Sequence, residues 1–295
     1  MILAFGETLI DIFPSYSRVG GAPLNFITHI TGLGESAALI SRIGTDSEGR
    51  QIEKFFADYS LDSGYLQKDS KHETGKVFVT PASSGPEHGF EIAENAAYDW
   101  IEYPRLEQDA AENTGCFYFG TLSQRTENGR AVAEKLLELF SGKALLFYDI
   151  NLRPGCFTEE TVKKSLYACD VLKANNEELE YLKKISGITA RSDNDAVLGL
   201  MEKYTVETAA ITYGAEGAKI FSRDSVVQGK SGRRIMVRDT VGAGDSFAAV
   251  LAKGLLRGMP HDEILEKALD ISARVCGIAG AVPEAGDKGF YESGR

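Results

Sequence analysis

Ala144-Leu-Leu-Phe-Tyr-Asp-Ile-Asn-Leu-Arg153, followed by 159–168, Asp170-Val-Leu-Lys173 and 175–185, is the stretch that decides the fold. An apolar run ending in polar residues reads as a strand buried on both faces. A helical segment then leads to a second such strand, and a strand–helix–strand crossover makes the two strands parallel. The alternation extends outward in both directions. Strands are expected at 2–5, 37–43, 116–119, 144–149, 170–173, 208–213 and 218–221. Helices are expected at 23–33, 48–59, 127–140, 159–168, 175–185, 194–204, 243–256 and 262–281. This rhythm predicts an α/β fold, a mostly parallel sheet covered by helices on both faces.

Two segments break the rhythm. The stretch 64–103 has no helical period and contains Val77-Phe-Val-Thr, Ser83-Ser-Gly-Pro and Phe90-Glu-Ile-Ala, which read as antiparallel hairpin material. Ile10 to Ser17 is extended and stops before Gly20-Gly21. These pieces, about 10–18 and about 64–103, are expected to form a small β lid over a site at the sheet's C-terminal edge. The lid would be inserted in a single domain spanning 1–295.

The 295 residues are 43% apolar and 25% charged, which excludes a disordered or fibrous chain. Lys+Arg 32 against Asp+Glu 43 gives −11, so broad binding to nucleic acid or an anionic membrane surface is not expected. Cys116, Cys156, Cys169 and Cys276 form no CxxC pair, which favours reduced thiols in a cytoplasmic setting. The four histidines lack metal-ligand spacing, and no signal peptide or membrane-length apolar run is seen.

The sharpest local signal is Arg238-Asp-Thr-Val-Gly-Ala-Gly-Asp-Ser-Phe247. Phe247, Val250, Leu251 and Leu255 recur at helical spacing, so Gly242 and Gly244 sit at a helix N-terminus, where free N–H groups and the dipole attract an anion. Asp245 falls in the first turn beside that site. Such an Asp often only complements the dipole. Next to two glycines it can instead accept the proton of a hydroxyl attacking a bound phosphate, the minimal apparatus of phosphoryl transfer.

Other nucleotide signatures fail. Gly229-Lys-Ser231 ends like a P-loop, but Asp224 stands where the first glycine belongs. Gly32-Leu-Gly34-Glu-Ser-Ala37 follows a helix and precedes a strand, the reverse of the dinucleotide order, and reads as a helix stop. Near the N-terminus, Asp11 and Gly20-Gly-Ala-Pro-Leu-Asn25 suit hydrogen bonds to a polyol, or a tight turn with an edge Asp. Asp149-Ile-Asn-Leu-Arg153 and Lys173-Ala-Asn-Asn-Glu-Glu178 place polar residues at consecutive strand ends, although Asn175 with Glu178 is also a capping pair. Ile211-Thr-Tyr-Gly-Ala-Glu-Gly217 reads as a turn between strands that can present backbone to a nucleotide.

Together these motifs resemble the ribokinase-like, PfkB-type carbohydrate kinases over essentially the whole chain, and most resemble fructokinases. Asp239-Thr-Val-Gly-Ala-Gly-Asp-Ser-Phe247 matches their C-terminal signature and Gly20-Gly-Ala-Pro-Leu-Asn25 their N-terminal one. The resemblance implies a three-layer α/β/α sandwich with a β lid and ATP-dependent phosphorylation of a sugar hydroxyl. The expected product is fructose 6-phosphate from D-fructose. Asp245 would be the catalytic base, with Gly242, Ala243 and Gly244 as anion hole. Asp11, Gly20, Gly21 and Asn25 would hold the sugar, with Arg153 adding charge near the substrate. Lys173, Asn175, Glu178, Thr212, Gly214 and Gly217 would face the nucleotide, and Glu178 would help place Mg²⁺ through water. Asp239 and the Val241 carbonyl match a monovalent-cation site, with K⁺ as its expected ion. Two departures stand out: Val241 replaces a common Thr, and the Asp11–Gly20 spacer is short. Lids in this family often mediate homodimers. Within the class, ribose, 2-keto-3-deoxygluconate and nucleosides are rival substrates. A catalytically silent sugar- or nucleotide-binding regulator is the rival from outside it.

Overall fold

A computed structural model describes residues 1–80, 89–106 and 112–292. In chain order its strands are β1 (Ile2–Phe5), β2 (Leu9–Ile12), β3 (Ser17–Gly20), β4 (Ala37–Gly44), β5 (Leu66–Asp69), β6 (Gly75–Thr80), β7 (Gly89–Ile92), β8 (Cys116–Gly120), β9 (Leu145–Asp149), β10 (Val171–Asn175), β11 (Thr208–Thr212), β12 (Ala218–Ser222) and β13 (Val226–Gly229). The helices are α1 (Ala22–Gly32), α2 (Ser47–Asp58), α3 (Glu127–Phe140), α4 (Glu159–Ala168), α5 (Asn176–Ser186), α6 (Asp193–Tyr204), α7 (Ala243–Leu256) and α8 (His261–Cys276).

Nine strands form one sheet in the order β13-β12-β11-β10-β9-β8-β1-β4-β5. From β11 to β5 every pairing is parallel, and β12 and β13 add an antiparallel edge. Strand side chains alternate between two separate cores, which is why these runs are apolar throughout. Leu3, Phe5, Phe117, Phe119 and Tyr148 face α3, α4, α5 and α6. Ile2, Ala4, Tyr118 and Phe147 face α1, α2, α7 and α8. The three-layer α/β/α architecture is thus present.

The sheet winds outward from β1, with β4 on one side and β8 on the other. That reversal opens a crevice at the C-terminal strand ends, the place where open α/β sheets bind ligands. A second, four-stranded sheet in the order β3-β2-β6-β7 lies at this crevice. It takes β2 straight from the end of β1, pairs it antiparallel with β3, and pairs it parallel with β6.

Some expectations need correction. Of the 64–103 stretch expected in the lid, Leu66–Asp69 instead extends the main sheet beside β4, and only β6 and β7 join the small sheet. Ser83–Pro86 lies outside the described residues. The last long helix stops at Cys276, capped at Gly277, short of the expected 281. The final stretch turns back instead, and Tyr291 covers the end of α1 by packing where a side chain on Gly32 would sit. No helix among the described residues is long and apolar enough to cross a membrane.

Candidate active site

The crevice is a cleft of 1820 Å³ between the strand ends, the start of α7 and the inner face of the small sheet. Asp11, Gly21, Asn25, Arg153, Lys173, Asn175, Glu178, Thr212, Gly214, Val241, Gly242, Gly244 and Asp245 all line it. Residues from the two ends of the sequence therefore meet in one place.

At its centre, α7 begins at Gly242, whose φ of 80° is left-handed. A side chain there would collide with Ala281, whose Cα would lie 2.5 Å from the new Cβ, so glycine is required on two counts. Among the described residues no side chain caps this helix; Ala243 N–H reaches the Thr240 carbonyl at 3.4 Å, and the remaining N–H groups of the first turn have no intrahelical acceptor. Asp245 lies in the first turn, only 8% exposed. Asn25 of α1 donates to its Oδ2 at 2.7 Å. Burial pushes the Asp245 carboxyl up to about 6; the charge of Asp149 adds to this, while Asn25, Lys173 and Arg153 oppose it. The group sits at the border between proton acceptor and proton carrier near neutral pH.

Beneath the helix start lies an ion pair at the ends of β9 and β10. Lys173 Nζ donates to Asp149 Oδ1 at 2.8 Å and Oδ2 at 3.0 Å, and the Tyr118 hydroxyl donates to Asp149 at 3.0 Å. Burial pulls the Lys173 pKa down, but the charge and hydrogen bond of Asp149 together with the charges of Glu178 and Asp245 outweigh it, and its pKa is raised. Lys173 stays cationic, and its Nζ would sit 3.3 Å from a Cβ placed on Gly244. A positive charge therefore backs the N–H groups of the helix start.

Toward the outer end, Asn175 caps α5 and Glu178 closes the capping box, each accepting from the other's backbone N–H at 2.8 Å. Glu178 Oε1 also accepts from Leu152 N–H at 2.9 Å. The capping role and the cleft position hold together. Burial raises the Glu178 carboxyl, with Lys173 opposing. Thr212 ends β11, Gly214 begins the short turn that follows it, and both line the cleft.

On the opposite wall, Asp11 of β2 is pushed up to about 6 by burial, with Arg153 and Arg18 opposing. Gly20 on β3, paired with Leu9 and so two positions along from Asp11's own partner, leaves room for its carboxylate: a Cβ there would strike Asp11 Oδ2. Gly21, at φ 115°, lets the chain pass close to the Glu7 carbonyl: a Cβ there would lie 2.6 Å from that oxygen.

Gly20, Ala243, Gly217 and Asp239 do not line the cleft among the described residues. Gly20 and Ala243 flank it. Gly217, at φ 99°, is set by packing against the Gly229 backbone. Asp239 is engaged elsewhere: Arg18 Nη1 pairs with its Oδ2 at 2.8 Å, Gly280 N–H donates to the same oxygen at 3.2 Å, and Val241 N–H donates to Oδ1 at 3.1 Å.

The sequence reading missed several cleft residues. Glu7 is 5% exposed, its Oε2 accepts no hydrogen bond among the described residues, and burial pushes its carboxyl up to about 7, with its own backbone N–H, Arg153 and Ala22 N–H opposing and Asp245 adding. It lies two residues past the end of β1 and was legible only as a polar residue near a strand end. Asp149 was visible the same way. Arg125, held by Asp99 through Nε at 2.7 Å and Nη2 at 2.6 Å, carried no sequence signal because its partner sits in a short helical turn.

An α/β/α sandwich with an uncapped helix start beside a buried carboxylate at the sheet's switch point defines the class of ribokinase-like kinases. The model of the pfkB family carbohydrate kinases matches residues 14–285, and the chain belongs to that family. Rice (Oryza sativa subsp. japonica) fructokinase-1 is 29% identical over 243 residues, 76% of this chain and 73% of its own length. A sugar kinase of Pyrococcus horikoshii, solved in complex with ATP, superposes with a TM-score of 0.82 at 26% identity, covering 95% of this chain and 94% of that one. A Xylella fastidiosa fructokinase with bound ATP gives a TM-score of 0.84 at 23% identity over 95% and 93%.

Proposed function

We propose that this chain is an ATP-dependent sugar kinase that transfers the γ-phosphate to a hydroxyl of D-fructose, giving fructose 6-phosphate. The observation that carries this reading is Asp245, buried and hydrogen-bonded to Asn25, beside the uncapped N-terminus of α7. As the hydroxyl oxygen attacks phosphorus, Asp245 takes its proton, and the bond to the β-phosphate oxygen breaks to release ADP. The N–H groups of Gly242, Ala243 and Gly244, backed by Lys173, meet the charge on the transferring phosphoryl group.

The inner wall supports a polyol. Asp11, Asn25 and the unpartnered Glu7 oxygen offer acceptors and a donor around a backbone opened by Gly20 and Gly21. The fructokinase relatives favour fructose among sugars. Asn175, Thr212 and Gly214 are assigned to the nucleotide.

Among the described residues, no cluster of three or more metal-ligating side chains exists. Both oxygens of Glu178 already accept backbone N–H bonds, so it fits a role through water and not direct ligation. Bound with the triphosphate, Mg²⁺ would neutralise phosphate charge. A cytoplasmic setting fits the four free thiols. The small sheet is proposed to close over the sugar and to pair two copies through its outer face, where Phe78 is 40% exposed; light scattering of the purified chain reads the association.

ADP release measured over fructose, ribose, 2-keto-3-deoxygluconate and nucleosides tests the reading. Fructose should turn over best, and Asp245→Asn should lower kcat by ~10²–10⁴-fold with folding intact. If sugar and ATP bind but nothing turns over, the silent-binder reading replaces this one.

A further inference from the structure

We propose that the guanidinium of Arg18 takes the place of a monovalent cation at Asp239, so that this protein works without potassium. The proposal rests on the kinase reading above for its rate measurements, but not for its structural ones.

The expected cation site consists of the Asp239 carboxylate and the Val241 carbonyl. In the structure both Asp239 oxygens already serve N–H donors: Oδ2 accepts from Arg18 Nη1 at 2.8 Å and Gly280 N–H at 3.2 Å, and Oδ1 accepts from Val241 N–H at 3.1 Å. A bare cation needs several oxygen lone pairs turned toward it. Here N–H groups point at the carboxylate, and a second positive charge beside the guanidinium would be repelled. The residues present do not fit a potassium ion.

Arg18 is held in place from several sides. Its guanidinium carbon lies 4.8 Å from the Tyr16 ring centroid and 5.7 Å from that of Phe13, and those two rings stack at 4.4 Å. Such faces favour an arginine over a hydrated ion. Gly280 borders it: a Cβ there would lie 3.6 Å from Arg18 Nη1. Arg18 sits on β3, across from Asp11 in the strand register. Asp239 lies three positions before Gly242, where the anion-binding helix start begins. The ion pair therefore ties the small sheet to the turn that shapes the helix start. A free ion could neutralise Asp239 but could not make that connection.

The test compares the full chain in buffer whose only monovalent cation is tetramethylammonium with the same ionic strength of KCl. ADP release from the best sugar of the panel with Mg-ATP should change by less than about two-fold between them. Thermal unfolding midpoints should likewise coincide, because nothing binds K⁺ to the folded state. Arg18→Ala removes the internal cation and should acquire both responses: faster turnover in KCl, and a K⁺-specific rise in midpoint. Guanidinium ion should rescue it in the K⁺-free buffer. Arg18→Gln serves as a second variant should Arg18→Ala fail to fold. Wild type stimulated several-fold by K⁺, or stabilised by it beyond the tetramethylammonium reference, overturns the proposal. So does a folded variant whose midpoint ignores K⁺. If no sugar turns over in any buffer, the kinase reading falls, and the unfolding measurements still decide the question of the cation.

Discussion

At the residue scale, Asp245 shows how one carboxylate is tuned by its surroundings. Burial and Asp149 push its proton affinity up, and Asn25 pulls it back toward ionisation. Only the ionised form accepts a proton. Activity should therefore rise with pH through about 6 and level off above, and kcat/KM against pH reads this limb for the free protein. Asn25→Ala removes a hydrogen bond to the charged form, so its limb should move to higher pH. A limb that stays in place under that substitution would mean another group sets it. Glu7, pushed up to about 7, is the competing candidate, and Glu7→Gln separates the two.

At the scale of elements, the site depends on how α7 starts. Its dipole and free N–H groups act only if the chain enters the helix at the Gly242 angle. Gly242→Ala forces an L-residue into a left-handed conformation at a cost of about 1–2 kcal/mol, and adds a collision with Ala281. A lowered unfolding midpoint together with reduced phosphoryl transfer is expected. Gly214→Ala, left-handed at φ 56° but in open space, should show the backbone cost without the collision. Equal losses in the two variants would contradict this account of the helix start. The strand ends were legible in the sequence because apolar runs stop abruptly at Asp149, Lys173 and Thr212. The separate fates of β5 and of the β6–β7 hairpin were not, because these are short, partly polar strands, and β5 and β6 choose their sheets by pairing with β4 and β2, well before them in the chain.

At the scale of the whole molecule, the C-terminal segment locks the helical layer beneath the site. His29 of α1 bonds Tyr291 through Nδ1 and the Ala281 carbonyl through Nε2, both at 2.9 Å. Burial lowers its pKa from 6.5 to about 4, so the folded state holds the ring neutral while the unfolded chain takes up a proton below 6.5. This contribution to stability is complete above 6.5 and is lost as pH falls toward 4, at up to about 1.4 kcal/mol per pH unit. The buried Glu7, Asp11 and Asp245, all raised, run the opposite way in the same window. Urea unfolding of wild type against His29→Gln between about pH 7 and pH 5 isolates the histidine: the wild-type advantage should shrink as pH falls.

The sequence by itself determined the layered α/β architecture, the glycine turn with Asp245, and the capping pair Asn175–Glu178. Each is a local pattern: hydrophobic period, a left-handed angle, or a hydrogen bond between residues three apart. Only the tertiary structure decided that Asn25 bonds Asp245 across 220 positions, that Lys173 lies under Gly244, and that Arg18 occupies Asp239. Those contacts join residues whose side chains carry no information about one another along the chain. The physical reason is that burial turns separate polar residues into one coupled charge system, and burial is a property of the folded whole.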